Sequence, residues 1–297
     1  MSDRADPTAL TLDEYQRLSA ATDIDAENDD PIIPLLGLAG EVGALIAEYK
    51  KKIRPDGAGY VGFEQVIRIE LGDILWYLAS LTSRSALTLG EIAIANLTKT
   101  RARWLPGDGA PPISYDDDMP DGQRLPRRFE ALFTSYVENG LTKCRMTIEG
   151  EEFGDPIDDN TRHDDNYRFH DVFHLAHAAI LGWSPVFRLL VGRKRRNDDR
   201  DRTEDGARAI AAEEAVTAMV FALAEAWNYF SEAEHVDESI LNAAKAVTSR
   251  LEVGDRNSAD WERAILAGYA VWRGLRDNDG GRVIVDLDSA TIRYISD

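Results

Sequence analysis

One cysteine in 297 residues, Cys144, has no partner for an internal disulfide, and the chain has too few thiolates for a zinc–sulfur cluster. That scarcity suits a reducing compartment, so a cytoplasmic protein is expected. Cations are also in short supply: 34 Lys and Arg stand against 53 Asp and Glu, a net charge of −19. Such a field repels phosphate backbones and anionic lipid, so no nucleic-acid and no membrane partner is expected. A phosphate-bearing substrate would need local cations or a bound metal to offset it. The amino terminus, Met1-Ser2-Asp3-Arg4, is polar rather than basic then apolar, and no apolar run approaches the ~20 residues of a membrane span. Internal repeats and low-complexity tracts are absent.

The chain is long enough for two ordinary domains. Residues 8–104 read as four helices. Between Pro106 and Pro126 the pattern breaks, with Gly107, Gly109, Pro111, Pro112, Asp116-Asp117-Asp118, Pro120 and Gly122. That is linker chemistry, and it divides a domain at 1–105 from one at 126–297, with 106–125 between them. Beyond it, helical patterns recur at about 126–139, 164–182, 205–232, 237–252 and 258–277. From Arg282 to Ile295, Val283, Val285 and Leu287 alternate with polar residues, which reads as a small β-hairpin.

In the first domain, polar residues stand where apolar ones belong. Thr11-Leu12-Asp13-Glu14 is a capping box opening the first helix. On the second, about 34–52, Leu35, Leu38, Val42, Leu45, Ile46 and Tyr49 form an amphipathic stripe. Glu41 and Glu48, seven residues apart, border that stripe within about 20° of each other. Alone they read equally as solvated carboxylates. The third helix, about 63–83, places Glu70 inside its stripe between Ile67 and Ile74, with Asp73 one turn on. A carboxylate facing a helix core is costly unless paired or bound to a metal. Either an arginine partner or a metal would satisfy it. The fourth helix opens with a second capping box, Thr88-Leu89-Gly90-Glu91, and sets Asn96 amid its stripe, with Lys99 and Arg101 following. Three successive helices thus offer polar groups toward one seam, and helix bundles build metal sites in this way. Oxygen-only ligands suit a hard cation, Mg²⁺ or Mn²⁺.

Three stretches carry a resemblance. They are Gly37-Leu38-Ala39-Gly40-Glu41-Val42-Gly43, Glu70-Leu71-Gly72-Asp73-Ile74-Leu75-Trp76-Tyr77-Leu78 and Asn96-Leu97-Thr98-Lys99-Thr100-Arg101, preceded by Leu12-Asp13-Glu14-Tyr15-Gln16. Over about residues 9–104 the chain resembles the MazG-like nucleotide pyrophosphohydrolases, whose pattern is a Glu-x-x-Glu helix, a Glu-x-x-Asp helix and an Asn-x-x-Lys helix. It departs from the pattern at Ala44, where the second Glu of the first element would fall; Glu48, one turn on, is the candidate substitute. The resemblance implies an all-α bundle, and with the helical reading of the second half it makes the expected fold class all-α. It also implies Mg²⁺-dependent hydrolysis of a nucleoside triphosphate to a monophosphate and pyrophosphate, and a homodimer or dimer of dimers. Carried over residue by residue, Glu41, Glu70 and Asp73 are the catalytic metal-holding set, with Glu48 as a further ligand. Asn96, Lys99, Arg101 and Lys51 would contact phosphates, and Trp76 and Tyr77 would stack on the base or simply fill the core. With Ala44 in place, a nucleotide- or metal-binding protein with little turnover is the alternative.

The second domain resembles the carboxy-terminal domain fused to some MazG-like proteins, through Tyr167-Arg168-Phe169-His170-Asp171-Val172-Phe173-His174 and Gly206-Ala207-Arg208-Ala209-Ile210 onward. His170, His174 and His177 recur at i, i+4, i+7 beside Asp171, and Glu213-Glu214 lie on a later helix. A second metal site or a phosphohydrolase centre is one reading; hydrogen-bonded core histidines are the other. The Arg193-Lys194-Arg195-Arg196 run, followed by Asp198 and Asp199, reads as a solvated loop.

Overall fold

Both capping boxes start helices where the sequence places them. In the computed structural model, which describes residues 10–26, 28–55, 60–104, 114–162 and 164–296, the Thr11 hydroxyl accepts from the Glu14 amide at 3.1 Å and opens α1 (Leu12–Ser19). Thr88 and Glu91 exchange both bonds of the box, at 3.1 and 3.0 Å, ahead of α4 (Leu89–Trp104). Between them run α2 (Ile32–Lys52) and α3 (Phe63–Arg84), packed against each other. Their approach needs Gly37: a Cβ there would lie 2.1 Å from the Tyr77 ring. Side chains of α1 hold the first turn of α4, where Gln16 Oε1 accepts from the Leu89 amide at 2.8 Å and Asp13 from Gly90 at 2.7 Å. These helices form one unit, Met1–Arg101; the second is Ala102–Asp297. Residues 106–113 of the expected linker lie outside the described residues, and 114–125 are packed into the second unit, with Asp116 and Leu125 buried.

Three sequence expectations need correction here. The stripe on α2 is not buried: Leu35 and Ile46 are 50% and 61% exposed, and only Pro34 and Glu48 are buried on that helix. By length and composition α2 is long and apolar enough to cross a membrane, contrary to the expectation that no apolar run comes near that length. The all-α expectation is overturned by the second unit, which contains a five-stranded antiparallel sheet ordered β3-β2-β1-β4-β5. Its strands are β1 (Arg128–Glu138), β2 (Leu141–Ile148), β3 (Glu151–Asp158), β4 (Gly280–Asp286) and β5 (Thr291–Ile295).

Segment 126–139, read as a helix, is therefore mostly strand. Phe129, Leu132, Phe133 and Tyr136 do recur at helical spacing, but the burial follows period two. Phe129, Ala131 and Phe133 turn inward and Leu132 outward. Tertiary pairing decides it: Ala131 stands opposite Ile148 on β2 and Val283 on β4, all three buried. The turns agree. Asn139-Gly140 and Glu149-Gly150 hold φ of 53° and 80°, then 54° and 86°, the paired left-handed conformation of a tight two-residue hairpin. The hairpin expected at 282–295 exists as β4–β5, but as one edge of this larger sheet.

Helices complete the second unit: α5 (Asp171–Ala176), continued by a π-helical turn over His177–Leu181, then α6 (Pro185–Leu190), α7 (Arg200–Thr203), α8 (Ala207–Ala224), α9 (Glu238–Thr248) and α10 (Ser258–Asp277). The core runs from Leu125 to Ile292 and includes Trp183, Trp261 and Trp272. Helix α10 packs on α5 and on β4 and β5. The basic run at 193–196 is more than a solvated loop. Arg195 is fully buried, bonded to Asp205 at 2.7 Å and to Glu252 at 2.7 Å. Arg188, also buried, pairs with Asp116 at 2.5 Å. Buried charges are tolerated when paired in this way.

Candidate functional site

The packing of α2 on α3 sets Glu70 among carboxylates. Burial first, then the charges of Glu41, Asp73 and Glu48 and a hydrogen bond shared with Glu41, raise the Glu70 carboxyl above its ordinary range. No arginine neutralises it among the described residues. Acidic groups held against one another are what a divalent cation relieves. Glu48 is occupied differently: it accepts from Lys51 and from the Tyr60 hydroxyl, and those two bonds hold its carboxyl below the ordinary range. Glu41 and Asp73 thus stand near enough to Glu70 to raise it, Glu41 sharing a hydrogen bond with it, while Glu48 is engaged with Lys51 and Tyr60. Lys51 stands near this group, held by Glu48.

The other expected substrate contacts divide. Trp76 and Tyr77 meet edge to face at 5.0 Å and line a groove of about 630 Å³ together with Asp23, Ile33 and Arg84. Tyr77 follows Asp73 by four residues and Glu70 by seven, so all three occupy one face of α3. Trp76 donates to the Thr22 hydroxyl at 2.7 Å. Asn96, Lys99 and Arg101, by contrast, are exposed on α4, which packs along neither α2 nor α3. The sequence expected one seam; within a single chain the structure joins two of its three helices.

In the second unit the histidine residues converge on Glu213. Its Oε1 accepts from His174 Nδ1 at 2.9 Å, His177 Nδ1 at 3.1 Å and the Ser184 hydroxyl at 2.7 Å. Its Oε2 takes the Val186 amide at 2.9 Å, in the first turn of α6. Burial would raise this carboxyl, but His174 and His177 outweigh it and bring it to about 2. Burial likewise opposes charge on His174, while the Glu213 carboxylate favours it. His170 is anchored separately: its ring stacks on Tyr167 at 4.3 Å, and Nδ1 donates to the Tyr167 carbonyl at 3.0 Å. Cys144 is buried, and its thiol is pushed up to about 12, chiefly by desolvation and then by Asp171. It is an inert core residue.

Comparison with known proteins places the second unit. The profile of the MazG C-terminal domain matches residues 110–297, more than half of the chain. The chain belongs to that family. It is also similar to the Gene 37 protein of Mycobacterium phage L5, 37% identical over 69 residues, which covers 23% of this chain and 60% of that protein. The chain thus spans 60% of the length of that curated relative. No solved structure matches.

Within this MazG C-terminal domain, sequence reasoning reached His170, Asp171, His174, Glu213 and Glu214. It missed the buried Arg195 and the role of Ser184. A signal for the latter existed: Ser184-Pro185 is an N-cap followed by proline at the first helical position. That start places the α6 amides against Glu213. Nothing in the alternating charges around Arg195 marks it as buried.

Proposed function

We propose that this MazG-related chain is a divalent-metal-dependent nucleoside triphosphate pyrophosphohydrolase, cleaving between the α and β phosphates to give a monophosphate and pyrophosphate. One observation carries the reading: Glu70 sits half-buried and is raised by Glu41, Asp73 and Glu48, with no arginine neutralising it among the described residues. Glu41, Glu70 and Asp73 would hold Mg²⁺ or Mn²⁺, an oxygen-only donor set suited to hard cations. The bound metal supplies charge to the phosphates and acidifies a water. A carboxylate of the set left uncoordinated orients that water and accepts its proton. Lys51, released from Glu48, would offset phosphate charge, and Trp76 with Tyr77 would stack on the base.

Asn96, Lys99 and Arg101 fit this reading through a second copy of the chain. The open apolar faces of α2, α3 and α4, with Ile46, Leu71 and Ile94 exposed, are larger than isolated surface residues explain. The carboxylates Glu41 and Glu48 within α2 disfavour lipid as their cover. A homodimer or dimer of dimers would cover them and carry a partner's α4 toward the carboxylates.

The test is pyrophosphate release from a panel of ribo- and deoxyribonucleoside triphosphates with Mg²⁺. Glu70→Gln, which keeps the shape and removes the charge, is expected to lower turnover at least about 100-fold with the fold intact. Wild-type rates in that variant refute the assignment.

A further inference from the structure

We infer that the second unit carries its own transition-metal site, formed by His170 Nε2, His174 Nε2 and the carboxylates of Asp171 and Glu214. The hydrogen bonds fix the chemistry of both rings. A carbonyl oxygen only accepts, so His170 Nδ1 carries the proton it gives to Tyr167. The Glu213 carboxylate likewise faces His174 Nδ1 at 2.9 Å and accepts from it. Each imidazole therefore turns Nε2 the other way. His174 Nε2 is fully buried and makes no hydrogen bond; the Glu214 carboxylate is 3.5 Å from it. His170 Nε2 faces Asp171 at 3.8 Å. Ligand atoms of His170, Asp171 and His174 all lie within 4.8 Å of one another. Metal-bound histidine typically shows this arrangement, with one nitrogen on the ion and the other donating to a carboxylate or carbonyl that orients the ring.

A competing trio, His174, His177 and Glu213, is also close enough to hold an ion. It does not need one. Glu213 already accepts four hydrogen bonds, and its contacts at 2.9 and 3.1 Å are ordinary donor–acceptor distances. Glu213 is the positioning residue behind His174. The i, i+4 spacing of His170 and His174 puts both rings on one face of α5, as in helical zinc motifs, and Glu214 approaches from α8. The helix turns π-helical immediately after, at His177–Leu181, a distortion common at functional sites. One side of the cluster is sealed by core. The other reaches solvent past Glu214, whose side chain is 42% exposed. Two imidazoles with carboxylates select a first-row ion of zinc character, unlike the all-oxygen set on α2 and α3.

Full-length protein, stripped with chelator, would be titrated with Co²⁺ as a coloured zinc analogue, in the Glu70→Ala/Asp73→Ala background to remove the first-unit carboxylates. The expected result is one equivalent of Co²⁺ with a visible ligand-field band, bleached by Zn²⁺. Glu214→Gln alters a side chain that is 42% exposed and should fold; it and His170→Gln should each weaken binding at least about tenfold. No band in wild type, loss of the band in the Glu70→Ala/Asp73→Ala background, or wild-type affinity in both His170→Gln and Glu214→Gln would overturn the site.

Discussion

The two units solve the problem of burying charge in opposite ways. The second buries Arg188, Arg195, Asp116, Asp205 and Glu213, but each meets an opposite charge or a set of donors inside the same chain. The first sets Glu41 and Asp73 near Glu70 with no balancing arginine among the described residues and leaves its apolar stripes open. A closed network reads as structure. An unbalanced one beside an uncovered face is what the proposed cation and second copy would close.

That contrast breaks most sharply at Ile46. Glu at this position puts a charge in the exposed stripe of α2. Self-association, followed by sedimentation, should weaken by more than about 100-fold, and pyrophosphate release should fall with it. An associating and active Ile46→Glu protein would show that the stripe faces something else. Next in size is Arg195→Ala. It strands Asp205, which is fully buried, and removing one partner of a buried pair costs roughly 3–5 kcal/mol. Urea unfolding of the second unit measures it. A loss under about 1 kcal/mol would mean that Arg188, 3.7 Å from Asp205, already suffices.

Much of the first unit was legible because its signals are local. Capping boxes, stripes and the misplaced Glu70 each depend on residues a turn apart, and all four helices formed near their expected bounds. What that reading could not supply was the partner for the stripes, since periodicity marks a face and says nothing about what covers it. In the second unit the sheet was missed for the converse reason. Phe129, Leu132, Phe133 and Tyr136 satisfy a helical period, and the choice of strand is made by Ile148 and Val283, far along the chain. Asn139-Gly140 was the one local sign of a hairpin, and it went against the helix. The histidine cluster was visible as spacing alone. Which nitrogen each ring presents follows only from Tyr167 and Glu213, and the Glu213 anchor is a contact across 39 residues.

The smallest expected effect tests whether the first unit has any closed charge pair of its own. Asp23 accepts from Arg84 at 2.8 Å and from the Ser80 hydroxyl at 2.7 Å, with both charged side chains largely buried. The Arg84 hydrogen bond, opposed by desolvation and aided by Ser80, brings the Asp23 carboxyl to about 2, against an ordinary 3.8. The folded value lies below the unfolded one. The stabilisation is therefore present above about pH 4 and is lost as pH falls through 2. Asp23→Asn should lower hydrogen-exchange protection at the carboxyl end of α3 by something on the order of tenfold at pH 6. The gap from wild type should narrow below pH 4 and close near 2. If it stayed constant with pH, the pair would be holding α3 by shape and hydrogen bonding rather than by charge. Asp23–Arg84 would then differ in kind from the buried pairs that stabilise the second unit.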